Sequence, residues 1–192
     1  MSKYKAIAIF GSTSNEIDPI YKKPTFETGA LLAKNGITMV YGVGDEGLMG
    51  ESFRGARSEN GKVLGITIPY LLQKQCADPS IFKKGELRVV ETLHERKHLM
   101  MENSDALLIA PGGWGTMDEI ASHGVHAKLG DRAVRPVIFL NFHGFWEPLK
   151  QLLKTMLEHG AVTKEQIAFI DYADTPDEIF NAINRAKRRL AK

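Results

Sequence analysis

The residues of this chain best suited to chemistry lie between Pro111 and Glu119. Gly112, Gly113 and Gly115 follow the apolar run 106–110, and Thr116, Asp118 and Glu119 come directly after. A glycine-rich loop that opens a helix presents bare backbone N–H groups, and the helix dipole adds positive potential. Thr116 adds a hydroxyl. Phosphate is the natural guest of Gly112, Gly113, Gly115 and Thr116. No G-K-[ST] follows, so this is not a nucleoside-triphosphate loop. Trp114, inside the loop, either caps a pocket or packs. Asp118 and Glu119 would repel a phosphate placed on them, but one turn along a carboxylate can face the next part of a ligand. In a nucleotide that part is the ribose. Breaking an N-glycosidic bond develops positive charge on the sugar, which a carboxylate can stabilise while activating water against the anomeric carbon. Glu119 has the spacing for this role, whereas Asp118 is rotated by roughly 100° around the helix. Arg96 would orient the carboxylate, the sugar or the phosphate.

Two other patterns invite chemical readings. Residues 42–47, GVGDEG, match the G-x-G-x-x-G of a dinucleotide site between a strand and a helix. The following strand, however, ends in Thr67-Ile68-Pro69, with no acid for a ribose 2′-hydroxyl. A tight turn packed against its own helix accounts for the pattern better. Residues 94–98, HERKH, match H-E-x-x-H, which on a helix could bind zinc through His94 and His98 with Glu95 as base. Arg96 and Lys97 inside the motif would oppose a zinc ion, so no metal is expected. A cationic helix start facing an anionic ligand is the better use of this segment. His123 and His126 are expected to be polar helix surface.

The elements that must position these residues follow from periodicity. Short aliphatic runs at 5–10, 37–41, 63–68, 87–90, 106–110, 136–141 and 167–172 suit strands buried on both faces. Amphipathic patterns at 24–35 and 146–159 predict helices, and Asp174-Thr175-Pro176-Asp177-Glu178 predicts a capped helix start. Repeated alternation of strand and helix predicts an α/β fold, a Rossmann-like doubly wound parallel sheet with helices on both faces, in one domain over residues 1–192. Residues 74–86 are the least regular and are expected to form a loop near the site. Ligands of such sheets bind beyond the carboxyl ends of the strands. Three of those ends are polar and glycine-rich, at 11–14, 42–47 and 111–116, which brings Ser12 and Gly44 to the same rim as the glycine loop.

Composition sets the remaining bounds. The chain has 192 residues and a formal net charge of +2, too small to argue for nucleic acid or a membrane as partner. Cys76 is the single cysteine, so no internal disulfide forms. No stretch approaches the ~20 apolar residues of a membrane span. A cytoplasmic protein is expected.

Taken together, HERKHLMMENSDALLIAPGGWGTMDEI and the upstream YGVGDEGLMG resemble the LONELY GUY family of cytokinin-activating phosphoribohydrolases, many of them historically labelled lysine decarboxylases. The pattern P-G-G-x-G-T-x-x-E falls on Pro111 to Glu119, the R-K pair on Arg96-Lys97, G-L-M-G on Gly47 to Gly50, and the first-strand G-S-[ST]-S on Gly11 to Ser14. The resemblance implies a Rossmann-like homodimer with its site near the dimer interface. It implies hydrolysis of a nucleoside 5′-monophosphate, AMP or an N6-prenylated AMP, to free base and ribose 5-phosphate, without PLP or metal. Arg96 and Glu119 match the catalytic pair, and Ser12, Gly44, Lys97, Gly112, Gly113, Trp114, Gly115, Thr116 and Asp118 are the expected substrate-binding set. Leu99, Met100 and Met101 exceed what one buried helix face needs, which would suit a dimer. Two departures bear on the base: Val43 stands where relatives often have glycine, and 126–130 reads His-Ala-Lys-Leu-Gly where they often have Trp-x-Gln-Leu-Gly. A non-catalytic carrier of a phosphorylated cofactor, such as molybdenum cofactor, is the alternative on the same fold. A lysine decarboxylase would need PLP and a Schiff-base lysine, which nothing in the sequence marks.

Overall fold

The structure, a computed structural model, describes residues 4–76, 82–130 and 133–191. Seven parallel strands form one sheet in the order β4-β3-β2-β1-β5-β6-β7. They are β1 (Ala6–Phe10), β2 (Thr38–Tyr41), β3 (Val63–Thr67), β4 (Leu87–Val89), β5 (Leu107–Ile109), β6 (Val137–Leu140) and β7 (Ile170–Ala173). Helices α1 (Lys22–Lys34), α2 (Gly47–Ser58), α3 (Pro69–Gln75), α4 (Leu93–Glu102), α5 (Trp114–Leu129), α6 (Glu147–Glu158) and α7 (Ile179–Leu190) connect them. The α/β, Rossmann-like, doubly wound parallel sheet expected from the alternation is therefore the fold.

Both faces of the sheet are covered because its inner strands are apolar on both. In β1, Ile7 and Ile9 face one core with Leu32, Met39 and Leu48, while Ala8 and Phe10 face a second with Val40, Ile66 and Phe139. The chain runs outward from β1 through β2, β3 and β4, then returns to pair β5 against the other side of β1, with Ala8 opposite Leu107 and Phe10 opposite Ile109. The crevice beyond β1 and β5 is thus the topological switch point, where an open sheet of this kind takes its ligand.

Several local expectations are corrected. Strand β7 starts at Ile170, three residues later than its apolar run, because the run first makes a turn closed by the Ile170 amide on the Ile167 carbonyl, 3.0 Å. A single 3₁₀ turn, Pro176–Glu178, precedes α7, with Glu178 accepting from the Asp174 amide at 2.9 Å. Helix α3 has no amphipathic signal; its start is marked only by Pro69 in the first turn. It takes the beginning of the stretch 74–86 expected to be loop, and residues 77–81 of that stretch lie outside the described residues. Met100 and Met101 are buried and Leu99 packs on the same core, so these three supply no surplus apolar surface. His123 is a core group, 4% exposed, held against the Arg135 backbone and edge-on to Phe169. Among the described residues no helix is long and apolar enough to cross a membrane.

Helices α1 and α2, the latter bringing Met49 to the site, touch through backbone. A methyl at Gly29 would fall on the Ser52 carbonyl oxygen, and one at Gly55 on the Phe26 carbonyl oxygen. Neither neighbour is a side chain that can swing away. Gly29→Ala or Gly55→Ala is expected to cost at least about 2 kcal/mol by forcing the helices apart, read as a lowered midpoint in urea unfolding.

Candidate active site

Three loops meet at the switch point and enclose a cavity of about 380 Å³. The β1 loop brings Gly11, Ser12, Thr13 and Ser14; the β2 loop brings Gly42 and Gly44; the start of α5 brings Gly113 to Thr116, Asp118 and Glu119. Arg96 and Lys97 of α4 close one side. Of the expected site residues, only Gly112 is not in direct contact with the cavity. It sits behind the loop, where a methyl would collide with the Thr116 side chain, so its bareness lets Thr116 lie flat against the turn.

The two glycine-rich helix starts differ in what their amides do. At α2, the Leu48 and Met49 amides both donate to the Ser12 carbonyl, at 2.8 and 3.2 Å, and the Gly47 amide donates to Asn15 Oδ1 at 3.1 Å. Those donors are committed to the neighbouring loop, so the first turn of α2 is packed against the β1 loop and does not offer its amides to a pyrophosphate. At α5, Gly113 is the N-cap without a side-chain cap, and the amides of Gly113, Trp114, Gly115 and Thr116 have no protein acceptor among the described residues. They face the cavity at the positive end of a 16-residue helix. The amide donors left open to an anion are therefore those of α5.

Arg96 and Glu119 are brought together, as expected. Their side chains are 12% and 11% exposed, with Arg96 Nη1 3.5 Å from Glu119 Oε1. Arg96 Nε donates to the Ile66 carbonyl at 3.1 Å and Nη2 to the Gly42 carbonyl at 3.4 Å. The missing side chain at Gly42 is what admits the guanidinium. Burial pushes the Glu119 carboxyl up to about 7, against the pull of Arg96 in the other direction. A carboxyl group in that range is a competent proton acceptor near neutral pH.

Lys97 and Asp118 are committed to each other. Lys97 Nζ lies 2.8 Å from each Asp118 oxygen and 2.9 Å from Ser122 Oγ. The pair neutralises the acid nearest the open amides of α5. Lys97 is also the one lysine among the residues lining the cavity, and its amine is saturated by a carboxylate. In the HERKH segment, His94 is exposed while His98 turns to Glu102 at 3.1 Å. Trp114 does not pack into the protein's own core: it is 91% exposed on the cavity rim.

Neither departure in the sequence touches the cavity wall. Val43 takes a left-handed φ of 71°, an arrangement that costs a β-branched residue of order 1–2 kcal/mol. Its side chain is buried against β3, where the absence of a side chain at Gly65 makes the room. Residues 126–130 lie at the far end of α5, away from the cavity. Sequence reasoning missed Leu71 and Gln75, which α3 brings to the opposite end of the cavity, together with Met49, Leu93 and Met100 on its apolar walls. Only Pro69 signalled the helix that carries the first two.

Comparison with known proteins gives the family and the fold. The family model described as "Possible lysine decarboxylase" matches residues 49–183. A probable cytokinin riboside 5′-monophosphate phosphoribohydrolase of Oryza sativa subsp. japonica is 31% identical over 176 residues, 91% of this chain and 76% of that protein. A cytokinin riboside 5′-monophosphate phosphoribohydrolase of Arabidopsis thaliana is 31% identical over 162 residues, covering 84% and 74%. Among solved structures, the molybdenum cofactor binding protein of Rippkaea orientalis superposes with a TM-score of 0.68 at 22% identity, covering 96% of this chain and 98% of that one. The molybdenum cofactor carrier protein of Chlamydomonas reinhardtii gives 0.66 at 20%, covering 99% and 100%. At those identities the structural likeness establishes the fold alone. With the family model spanning most of the sheet and the phosphoribohydrolases matching nearly the whole chain, the protein belongs to the LONELY GUY family, the one whose model still carries the lysine decarboxylase description.

Proposed function

We propose that the protein is a phosphoribohydrolase that cleaves the N-glycosidic bond of a nucleoside 5′-monophosphate, AMP or an N6-substituted AMP, to free base and ribose 5-phosphate. The observation that carries this reading is the buried Glu119 carboxylate, held by Arg96 one helical turn inside a set of unused amide donors. The amides of Gly113 to Thr116 bind the 5′-phosphate. The ribose then lies along the first turn of α5, with its anomeric carbon towards Glu119. As the C1′–N bond breaks, its electron pair leaves with the base, which takes up a proton. The sugar gains oxocarbenium character opposite the carboxylate. Water adds to C1′ and gives a proton to Glu119. Arg96, tied to two main-chain carbonyls, keeps the carboxylate from rotating away. A molybdenum cofactor carrier on this fold would have no use for a carboxylate beside its anionic cargo, so the hydrolase reading is preferred.

The family resemblance also implies a homodimer, and α5 supplies a surface for one. Trp114, Ala121, Val125 and Leu129 recur at helical spacing, and three of them are 91%, 55% and 66% exposed, Trp114, Val125 and Leu129 respectively. We take a second copy of the chain as the partner covering this stripe. Light scattering at micromolar concentration should give twice the chain mass, and Val125→Lys should halve it.

Adenosine should be turned over with a kcat/KM at least about 10² below that of AMP, the loss of two charge-assisted hydrogen bonds at roughly 1.5 kcal/mol each. A methyl at Gly113 meets no protein atom, so Gly113→Ala should leave the unfolding midpoint unchanged and weaken ribose 5-phosphate binding roughly tenfold by crowding the phosphate. Glu119→Gln should lower kcat by about 10² or more. Since the ionised carboxylate does the work and its pKa is raised to about 7, wild-type kcat should fall as pH drops through that value and reach a plateau above it. The residual activity of Glu119→Gln should lack this limb. An unchanged rate in that variant would refute the mechanism.

A further inference from the structure

The phosphate and ribose ends leave one part of the cavity without an assigned role. Along the carboxyl rim the strand order is β5, β1, β2, β3. The phosphate-binding amides follow β5, and Arg96 is fixed over the ends of β2 and β3 through Gly42 and Ile66. Helix α3 follows β3 and contributes Leu71 and Gln75 to the cavity. From β5 to β3 is three strand spacings, roughly 14 Å, the order of an extended nucleoside monophosphate from its phosphorus to the far edge of its base. With the anomeric carbon at Glu119, the base has only the α3 end left to occupy.

Gln75 is placed to read it. The residue is half-buried on the cavity wall, and its side-chain amide has no partner among the described residues. Its position is fixed independently of that amide: the Gln75 carbonyl accepts from the Asp45 amide at 2.9 Å, tying the end of α3 to the β2 loop. Leu71, one turn earlier, provides an apolar surface beside it. A glutamine amide offers one acceptor and one donor side by side, which complements the 6-amino group and adjacent ring nitrogen of adenine. An N6-substituted adenine keeps one N6 hydrogen and can make the same pair.

We propose that Gln75 is a specificity-determining residue, its carboxamide pairing with the amino edge of a 6-aminopurine. The proposal rests on the nucleotide reading of the site given above. It places base selection on α3, away from the phosphate loop and from the catalytic pair.

The test replaces the donor half of the amide while keeping its shape. Gln75→Glu presents two acceptors, which repel the ring nitrogen of adenine but match the paired N1–H and N2–H donors of guanine. Dissociation constants for the carbocyclic analogues of AMP and GMP are measured by calorimetry on the full chain. Neither analogue is hydrolysed, because the ring lacks the oxygen that forms an oxocarbenium ion. Wild type should prefer the AMP analogue. Gln75→Glu should shift the ratio at least tenfold towards the GMP analogue, with ribose 5-phosphate binding unchanged. An unshifted ratio, an equal loss for all three ligands, or a wild type that holds the AMP analogue no tighter than ribose 5-phosphate overturns the proposal. Adenine release from AMP by wild type is followed in parallel. If the ratio shifts but no adenine is released, the hydrolase reading fails and the role of Gln75 stands. If adenine is released but the ratio does not shift, the reverse holds.

Discussion

The site depends on a buried charge pair whose cation is fixed to main chain. An arginine and a glutamate taken out of water lose hydration that their mutual attraction at 3.5 Å does not by itself return. The rest comes from the carbonyls of Gly42 and Ile66, which accept from the guanidinium and lock it to two adjacent strand ends. This explains why the β2 loop must begin with a residue lacking a side chain, and why α4 must start close to the end of β3. It also sets the chemistry. Desolvation raises the Glu119 carboxyl towards neutrality, while Arg96 holds it back from staying protonated.

The sheet supplies the frame for that pair. Because β1 is central and β5 returns to its far side, the β1 and β5 loops part at the switch point and leave a crevice. Two glycine-rich helix starts border this crevice, and the difference between them divides the labour. The start of α2 spends its amides on Ser12 and Asn15, which braces the β1 loop. The start of α5 leaves its own amides for a ligand. Lys97 neutralises Asp118, the acid nearest those open amides, which removes the repulsion an anion there would otherwise meet. Structure and binding are served by similar sequences whose hydrogen bonds go to different places.

Much of this was legible in the sequence, for a physical reason. The five inner strands are short aliphatic runs buried on both faces, and the edge strands β4 and β7 keep enough aliphatic residues beside Arg88 and Asp171 to be read as strands, so the α/β alternation was visible, whereas the strand order was not. The glycine loop, Arg96 and Glu119 carry their chemistry in residue type and spacing. Other features depend on contacts between distant segments. That the α2 amides are consumed, that Lys97 faces Asp118 and Ser122, and that His123 is buried against the Arg135 backbone are tertiary facts. Leu99 to Met101 read as surplus apolar surface because the second core, on the other face of β1, was not visible along one helix. Helix α3 is short and carries no amphipathic signal, and with it Gln75 and Leu71 escaped notice. The left-handed Val43 could not be foreseen, since what permits it is the bare backbone of Gly65 on the next strand.

The central claim is that this cavity breaks the bond between base and sugar and does not merely hold a phosphorylated ligand. Its most direct test is incubation of the purified protein with AMP, following base and sugar phosphate together by chromatography. The account predicts adenine and ribose 5-phosphate released in equal amounts as AMP disappears. AMP that binds the protein and is recovered intact would contradict it.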